Sequence, residues 1–431
     1  MSPIITPVSC ASAPPASTTV VIIGAGIVGL TAALALAERN IPVVVLEKGR
    51  VAGEQSSRNL GWIRKTSRHL EDLPLALAAD RLWAQLPDRV GCDVGYRQAG
   101  IMFVARNATQ MAMHERWLES VQALSLGSRL LTPGEINQLV PGGREPWAGG
   151  IFTPSDGRAE PTLATSAIAR AAIARGAIIV ENCAVRSVTT AGGRVDGVVT
   201  EHGVVRCEQV LLAGGLWSRR LLGNLGVALP TLPLNCSVMR TAPMQGPTEI
   251  AVGGPDFSFR KHIDGGFIIT QRGALDAPLT LDHALLSKLY LPQFRAQRNV
   301  LRVSFGKPFF KDLALARRWS DSSVTPFERI RTQDPAANPA LNNEALKHLR
   351  AAWPAFEQAR IEQTWAGTID VTPDSLPVIG PVKQLPGLVL ASGFSGHGFG
   401  TSPAAGQLAA DLIDGSTPLV DPTPYRLERF S

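Results

Sequence analysis

Three glycine-bearing turns and a few arginines carry the chemistry open to this sequence. The first turn is Gly24-Ala25-Gly26-Ile27-Val28-Gly29, and an acid, Glu47, stands 23 positions after its first glycine. Gly24 permits a tight turn out of a strand. Gly26 lets backbone approach a pyrophosphate, and Gly29 lets a helix pack close to a sheet. Free N–H groups at the helix start attract phosphate, and a carboxylate at that distance suits a ribose diol. The chemistry this pattern serves is dinucleotide binding. A plain helix–strand crossing would use the glycines but leave Glu47 without a task.

The second turn, Gly214-Gly215, follows the apolar run Val210-Leu211-Leu212 and is succeeded by Trp217. The third is Phe394-Ser395-Gly396-His397-Gly398-Phe399-Gly400, after Leu388 to Ser392. A glycine-rich helix start of this kind offers donors to a flat or anionic ligand. His397 either acts on that ligand directly or is hydrogen-bonded to backbone beside it. Ser56, Ser57 and Arg58 supply hydroxyls and N–H groups near a pyrophosphate, or form a solvated turn.

These residues need elements to hold them. Thr19 to Ile23 is a β-branched run that reads as a buried parallel strand. Leu30 to Asn40 reads as a helix and Pro42 to Leu46 as a second strand, completing a β-α-β unit. Cys207 to Leu212 and Gly387 to Ser392 read as further strands. Ser402 to Ile413 reads as a helix with Pro403 in its first turn, where a missing N–H costs nothing. The fold class is α/β. A Rossmann-like domain is expected from 19–75, 146–228 and 360–431. A second, α+β domain with an antiparallel sheet is expected from 76–145 and 229–359. It would hold a helical stretch from Thr109 to Leu124, and strands at Phe257 to Arg260 and Gly266 to Thr270 joined by the turn Asp264-Gly265. Residues 1–18, rich in Ser, Pro, Ala and Thr, read as a disordered leader.

Composition bounds the rest. A chain of 431 residues with 45% hydrophobic and 18% charged residues builds two or three globular domains and is neither disordered nor fibrous. A net charge of +6 spread along the chain, without a compact Lys/Arg block, points away from nucleic acid. Five scattered cysteines with no CxxC pair argue against disulfides and against a metal site, and fit a reducing compartment. No run reaches the roughly 18 apolar residues of a membrane span. The expected location is the cytoplasm, or the inner face of the membrane as a peripheral protein.

Taken together, the three turns resemble those of the FAD-dependent amine oxidoreductases of the D-amino-acid oxidase and glycine oxidase superfamily, whose nucleotide domain is of the glutathione-reductase-like type. Within it, the chain resembles the bacterial L-amino acid deaminases of the Proteus type. The shared stretches are Glu47 to Arg58, Asn182 to Arg186, Thr190 to Gly193, Leu212 to Arg219, Thr325 to Glu328 and Asp421 to Phe430.

The resemblance implies FAD, with its ring at the junction of two domains. It implies hydride transfer from a substrate α-carbon, and an imine that hydrolyses to a 2-oxo acid and ammonia. It places Gly24, Gly26, Gly29, Glu47 and Lys48 at the ADP half, and Ser56, Ser57 and Arg58 along the pyrophosphate and flavin. Gly214, Gly215 and Trp217 lie close to the cofactor. Val185 lies beside adenine or is plain core. The Gly396 to Gly400 loop lies at the O2/N1 edge of the flavin. Arg272 falls where the deaminases hold the substrate carboxylate, with Arg64 and Arg260 as alternatives. Neither His nor Cys occurs in Gln55 to Asn59 or Trp365 to Asp374, so the FAD is expected to be non-covalent.

The chain departs from the Proteus type in three places. Its first strand begins near residue 19 with no hydrophobic anchor ahead of it. The loop Phe394 to Gly400 is like that of sarcosine oxidases. The run Asn59-Leu60-Gly61-Trp62-Ile63-Arg64 replaces a polar, substrate-contacting stretch, which places Trp62 beside the substrate. A D-amino acid or a secondary amine, such as an N-methyl or cyclic amino acid, is therefore an alternative substrate. A flavin-bearing subunit that needs a partner is an alternative of another class. The segment 273–325 is either a lid or subdomain, or a basic apolar face that meets a membrane and hands electrons to a quinone rather than to oxygen.

Overall fold

The computed structural model describes residues 2–430. Its first sheet has six strands in the order Val378–Pro381, Leu388–Ser392, Gln209–Leu212, Val20–Ile23, Val43–Leu46 and Ile178–Val180. All neighbours are parallel except the Val378–Pro381 edge. The central strands are continuous Val/Ile/Leu runs because helices cover the sheet and leave no wet face. The helix Ile27–Glu38 is built from Ala, Leu and other small or apolar residues and is buried from Ile27 to Ala37. The helices Pro161–Ala174 and Gly398–Asp414 flank it. A Cβ at Gly406 would stand 2.6–2.8 Å from atoms of Thr31, Ala32 and Val28, so this glycine sets the closeness of that crossing.

The C-terminal helix begins at Gly398, a turn earlier than its sequence suggests, so Pro403 lies inside it. Proline cannot donate to the carbonyl of Phe399 four residues back. The hydroxyl of Ser402 donates to that carbonyl instead, at 2.8 Å.

The second sheet has ten strands and is mainly antiparallel. Its spine is the long pair Leu232–Thr241 and Ile361–Val371. Phe259, Phe267, Trp353 and Phe356 form its buried aromatic core. Two strands expected in the nucleotide domain, Gly149–Thr153 and Ile361–Val371, belong to this sheet. Apolar runs look alike in either sheet, and pairing alone assigns them.

Residues 2–18 are not the disordered leader that composition suggests. Ala11 N–H donates to Ile179 and Thr18 N–H to Arg206, at 2.8 and 2.9 Å. Ile5, Val8 and Cys10 pack on the core. Apolar residues interspersed among the Ser and Pro supply that anchorage.

The segment 273–325 folds into two short strands and three helices, Leu281–Leu285, Ser287–Gln297 and Lys307–Leu313. Tyr290, buried, donates its hydroxyl to the Val371 carbonyl at 2.5 Å, with the Pro230 carbonyl a second acceptor at 2.9 Å sharing the same proton. Arg219–Asp282 and Arg220–Asp312 pairs tie the segment to the helix Ser218–Asn224. Leu285, Leu289, Leu291, Phe294, Phe305 and Phe310 are exposed.

Candidate active site

One cavity of about 450 Å³ runs between the two sheets, from the Gly24 turn to Arg272. At its nucleotide end Gly24 has φ +107°, and a Cβ there would stand 2.6 Å from the Ala213 carbonyl. The first two glycine turns thus meet at backbone distance. A Cβ on Gly29 would reach within 2.3 Å of the Gly24 carbonyl, so Gly29 acts in helix–strand packing and does not line the cavity.

Glu47 accepts from Ala25 N–H at 2.9 Å and from Gly49 N–H at 2.8 Å, and lines the cavity. Burial holds its carboxyl above the ordinary range, while Lys48 and the two N–H groups oppose that shift. Its remaining lone pairs are free to accept from a diol. The helix Ile27–Glu38 has no cap of its own. The Ser56 hydroxyl accepts from Ile27 N–H at 2.8 Å, which leaves its proton for a phosphate. Ser57 is placed otherwise than expected: its hydroxyl is directed to the Glu54 carbonyl, and the residue lies outside the cavity wall.

Glu54 organises this end of the cavity. It accepts from Trp217 Nε1 at 3.0 Å and from Lys48 Nζ at 2.8 Å, and Lys48 lies 4.4 Å from the Trp217 ring centroid. The charge of Lys48 is thereby engaged within the protein. Arg58 is likewise held, by Asp334 and by the carbonyls of Gln333, Ala366 and Gly53. Val185, Gly214, Gly215 and Trp217 all line the wall.

The other end is built on the third turn. Ser395 and Gly396 have φ of 52° and 80°, and the chain then enters the helix at Gly398. Gly396, His397, Gly398, Phe399 and Gly400 all line the cavity. A Cβ at Gly400 would come 2.9 Å from the Trp62 carbonyl. Trp62 stacks obliquely on Phe103, with ring centroids 5.6 Å apart, and its buried Nε1 has no partner. Burial, then Arg68 and Arg64, push the proton affinity of His397 well below the usual imidazole range. The ring is neutral, and its Nε2 accepts from Arg64 Nη2 at 3.2 Å.

Arg272 extends into the cavity over Phe103, with its guanidinium carbon 4.1 Å from the ring centroid. It donates to the Gly254 carbonyl at 3.1 Å, and desolvation pushes its pKa down to about 10. Arg260, unlike Arg64 and Arg272, does not line the cavity. It is buried and grips Glu160 through two bonds of 2.5 and 2.8 Å.

Four cavity residues were not apparent from sequence. Glu54 and Gln55 lie in the same loop as Ser56, where polar side chains read equally well as a solvated turn. Asp370, the one acid in the strand Ile361–Val371 apart from the surface residue Glu362, accepts from Gln55 Nε2 at 3.1 Å and Gly393 N–H at 2.7 Å. Burial pushes its pKa up to about 6. Cys236 gave no signal, because a lone cysteine in a strand reads as core. Burial pushes its thiol up to about 12, so it is protonated at neutral pH.

The cavity fits an extended dinucleotide. Two glycine turns meet at one end, where a Cβ on Gly24 would clash with the Ala213 carbonyl, an acid and a helix N-terminus stand beside them, and a third glycine turn closes the far end. Among the described residues there is no cluster of His, Cys, Asp and Glu able to hold a metal, and no helix long and apolar enough to cross a membrane.

Comparison with known proteins agrees with this geometry. The L-amino acid deaminase of Proteus myxofaciens, solved with anthranilate, superposes with a TM-score of 0.95 at 32% identity, over 99% of this chain and 96% of that one. Glycine oxidase of Geobacillus kaustophilus is 26% identical over 95% of this chain and 96% of its own length. Mitochondrial sarcosine dehydrogenase of Mus musculus is 25% identical over 96% of this chain, which spans only 42% of that protein. The family of FAD-dependent oxidoreductases named DAO matches residues 19–412, and the chain belongs to it.

Proposed function

We propose that this protein oxidatively deaminates an α-amino acid of the L series, with FAD held non-covalently. The observation that carries this reading is a single cavity that joins the Gly24 turn to the guanidinium of Arg272. When bound, FAD supplies the acceptor for hydride from the substrate α-carbon. Arg272 binds the substrate carboxylate through its planar fork. Trp62 and Phe103 wall the site and keep water from it. The Gly396 to Gly400 helix start directs donors at the edge where negative charge develops. The imine product hydrolyses to a 2-oxo acid and ammonia. The non-covalent reading is supported by Cys236, whose thiol stays protonated, and by His397, whose Nε2 is engaged with Arg64.

A secondary amine is the second reading, favoured by the sarcosine-oxidase-like loop around His397. We also propose that a membrane quinone accepts the electrons, with the exposed side chains of Leu285, Phe305 and Phe310 docking the protein on the membrane. Anaerobic mixing of the FAD-loaded protein with matched L- and D-amino acids, sarcosine and proline tests the substrate. Flavin bleaching by L-amino acids is the expected result. Bleaching by D-amino acids or secondary amines alone would overturn it.

A further inference from the structure

Five cationic side chains line the cavity: Lys48, Arg58, Arg64, Arg68 and Arg272. Three have carboxylate partners, in Lys48–Glu54 at 2.8 Å, Arg58–Asp334 at 2.9 Å and Arg68–Asp72 at 2.6 Å. Arg64 and Arg272 have no carboxylate partner among the described residues. Arg64 donates to the Thr66 carbonyl and to His397, and Arg272 to the Gly254 carbonyl. The acids on the wall, Glu47, Glu54 and Asp370, are already engaged by backbone N–H groups, Lys48, Trp217 and Gln55.

Both free guanidinium groups lie against one ring. Their central carbons stand 5.8 and 4.1 Å from the Phe103 centroid, which puts them within about 10 Å of each other. Arg64 is pushed down to about 9 by desolvation and then by Arg68 and Arg272, and Arg272 to about 10 by desolvation. The acids near Arg64, Asp72 and Asp156, are already paired with Arg68 and Lys65, so two like charges held this close are costly unless a ligand brings a further counter-charge. One carboxylate neutralises one of them. A monocarboxylic amino acid would leave the other unpaired.

We propose that the substrate carries two acidic groups, one for each of Arg64 and Arg272: an amino acid with a second carboxylate on its side chain or on a short N-substituent. The proposal rests on the amino acid reading for the reacting amine, but its two-anion requirement is measurable without turnover.

The test titrates FAD-loaded protein with inert acids of matched carbon count, succinate against butyrate and glutarate against valerate. Perturbation of the flavin absorbance and the shift in Tm report binding. The diacid is expected to bind at least ~10-fold tighter than its one-acid partner, a modest return for one added charge-assisted pair. In Arg64→Met or Arg272→Met the diacid should fall to the affinity of the one-acid compound. Equal affinities in the parent protein overturn the proposal, as does a diacid advantage that survives Arg64→Met. If Arg64→Met alters the flavin potential but not that advantage, Arg64 serves the reduced ring and the proposal fails. Should Arg64→Met not load FAD, the parent comparison decides alone.

A reductive panel separates this from the amino acid reading. If diacids bind tighter yet no amino acid bleaches the flavin, the functional reading falls and the two-anion site stands. If asparagine and glutamine bleach it at the same half-saturation as aspartate and glutamate, the two-anion site falls and the functional reading stands.

Discussion

Arg272 and Asp370 are two cavity residues whose ionisation burial shifts, in opposite directions. If Arg272 anchors the substrate carboxylate, Arg272→Ala should weaken amino acid binding by about 2–5 kcal/mol, the usual cost of removing one member of a desolvated charge pair. Half-saturation in anaerobic bleaching measures this, and an unchanged value would refute the assignment. Asp370 titrates in a different sense. Its pKa rises from 3.8 to about 6 in the folded protein, so the native state holds the proton more tightly than the unfolded chain. Its contribution to stability is full below pH 4 and is lost as pH rises through 6, by roughly 3 kcal/mol for two pKa units. The Tm of Asp370→Asn relative to the parent should therefore rise across that window. A constant difference from pH 4 to pH 7 would contradict the shift. Of these two, Arg272 was legible in sequence because it follows an apolar strand in a family position. Asp370 was not: an acid in a strand reads as solvent-facing unless the residues that bond it are known, and Gln55 and Gly393 are 315 and 23 positions away.

Whole elements were easier to read than their partners. The runs Val20–Ile23, Val43–Leu46, Gln209–Leu212 and Leu388–Ser392 are strands as their β-branched and leucine-rich composition indicates. Which sheet receives Gly149–Thr153 and Ile361–Val371 depends on long-range pairing that composition does not encode. Arg260 shows the same limit at one side chain. Its strand was expected, but its partner Glu160, 100 positions away at the start of the helix Pro161–Ala174, was not. That pair joins the second sheet to a helix that packs on the first. Both side chains are buried, with 1% exposure each. Arg260→Ala removes the two-bonded guanidinium partner of Glu160 and leaves it only the His262 ring and the Ile263 N–H, and should destabilise the fold by about 3–5 kcal/mol. Urea unfolding of the FAD-loaded protein checks this. A substrate half-saturation that moves as it does in Arg272→Ala, at unchanged stability, would instead return Arg260 to the binding site.

The molecule as a whole presents an asymmetry that the active site does not explain. Segment 273–325 is fastened inward by Tyr290 and by the Arg219–Asp282 and Arg220–Asp312 pairs. Outward it shows Phe294, Phe305 and Phe310 at 47%, 64% and 59% exposure, on a segment that also carries Lys288, Arg295, Arg298, Arg302, Lys307 and Lys311. Apolar side chains left in water among cations match an anionic lipid surface, where burial of the rings and attraction of the charges add. A lid needs only the inward contacts, and nothing in closure over the cavity calls for outward phenylalanines. The protein should therefore sediment with vesicles containing phosphatidylserine or phosphatidylglycerol, and less so as salt rises. Phe305→Ser combined with Phe310→Ser should abolish sedimentation while leaving anaerobic flavin bleaching intact, because neither residue lines the cavity. If the double variant sediments as the parent does, the outward face is not the docking surface. If instead it raises the half-saturating amino acid concentration without changing sedimentation, the segment is a lid, and its exposed rings serve closure rather than a membrane.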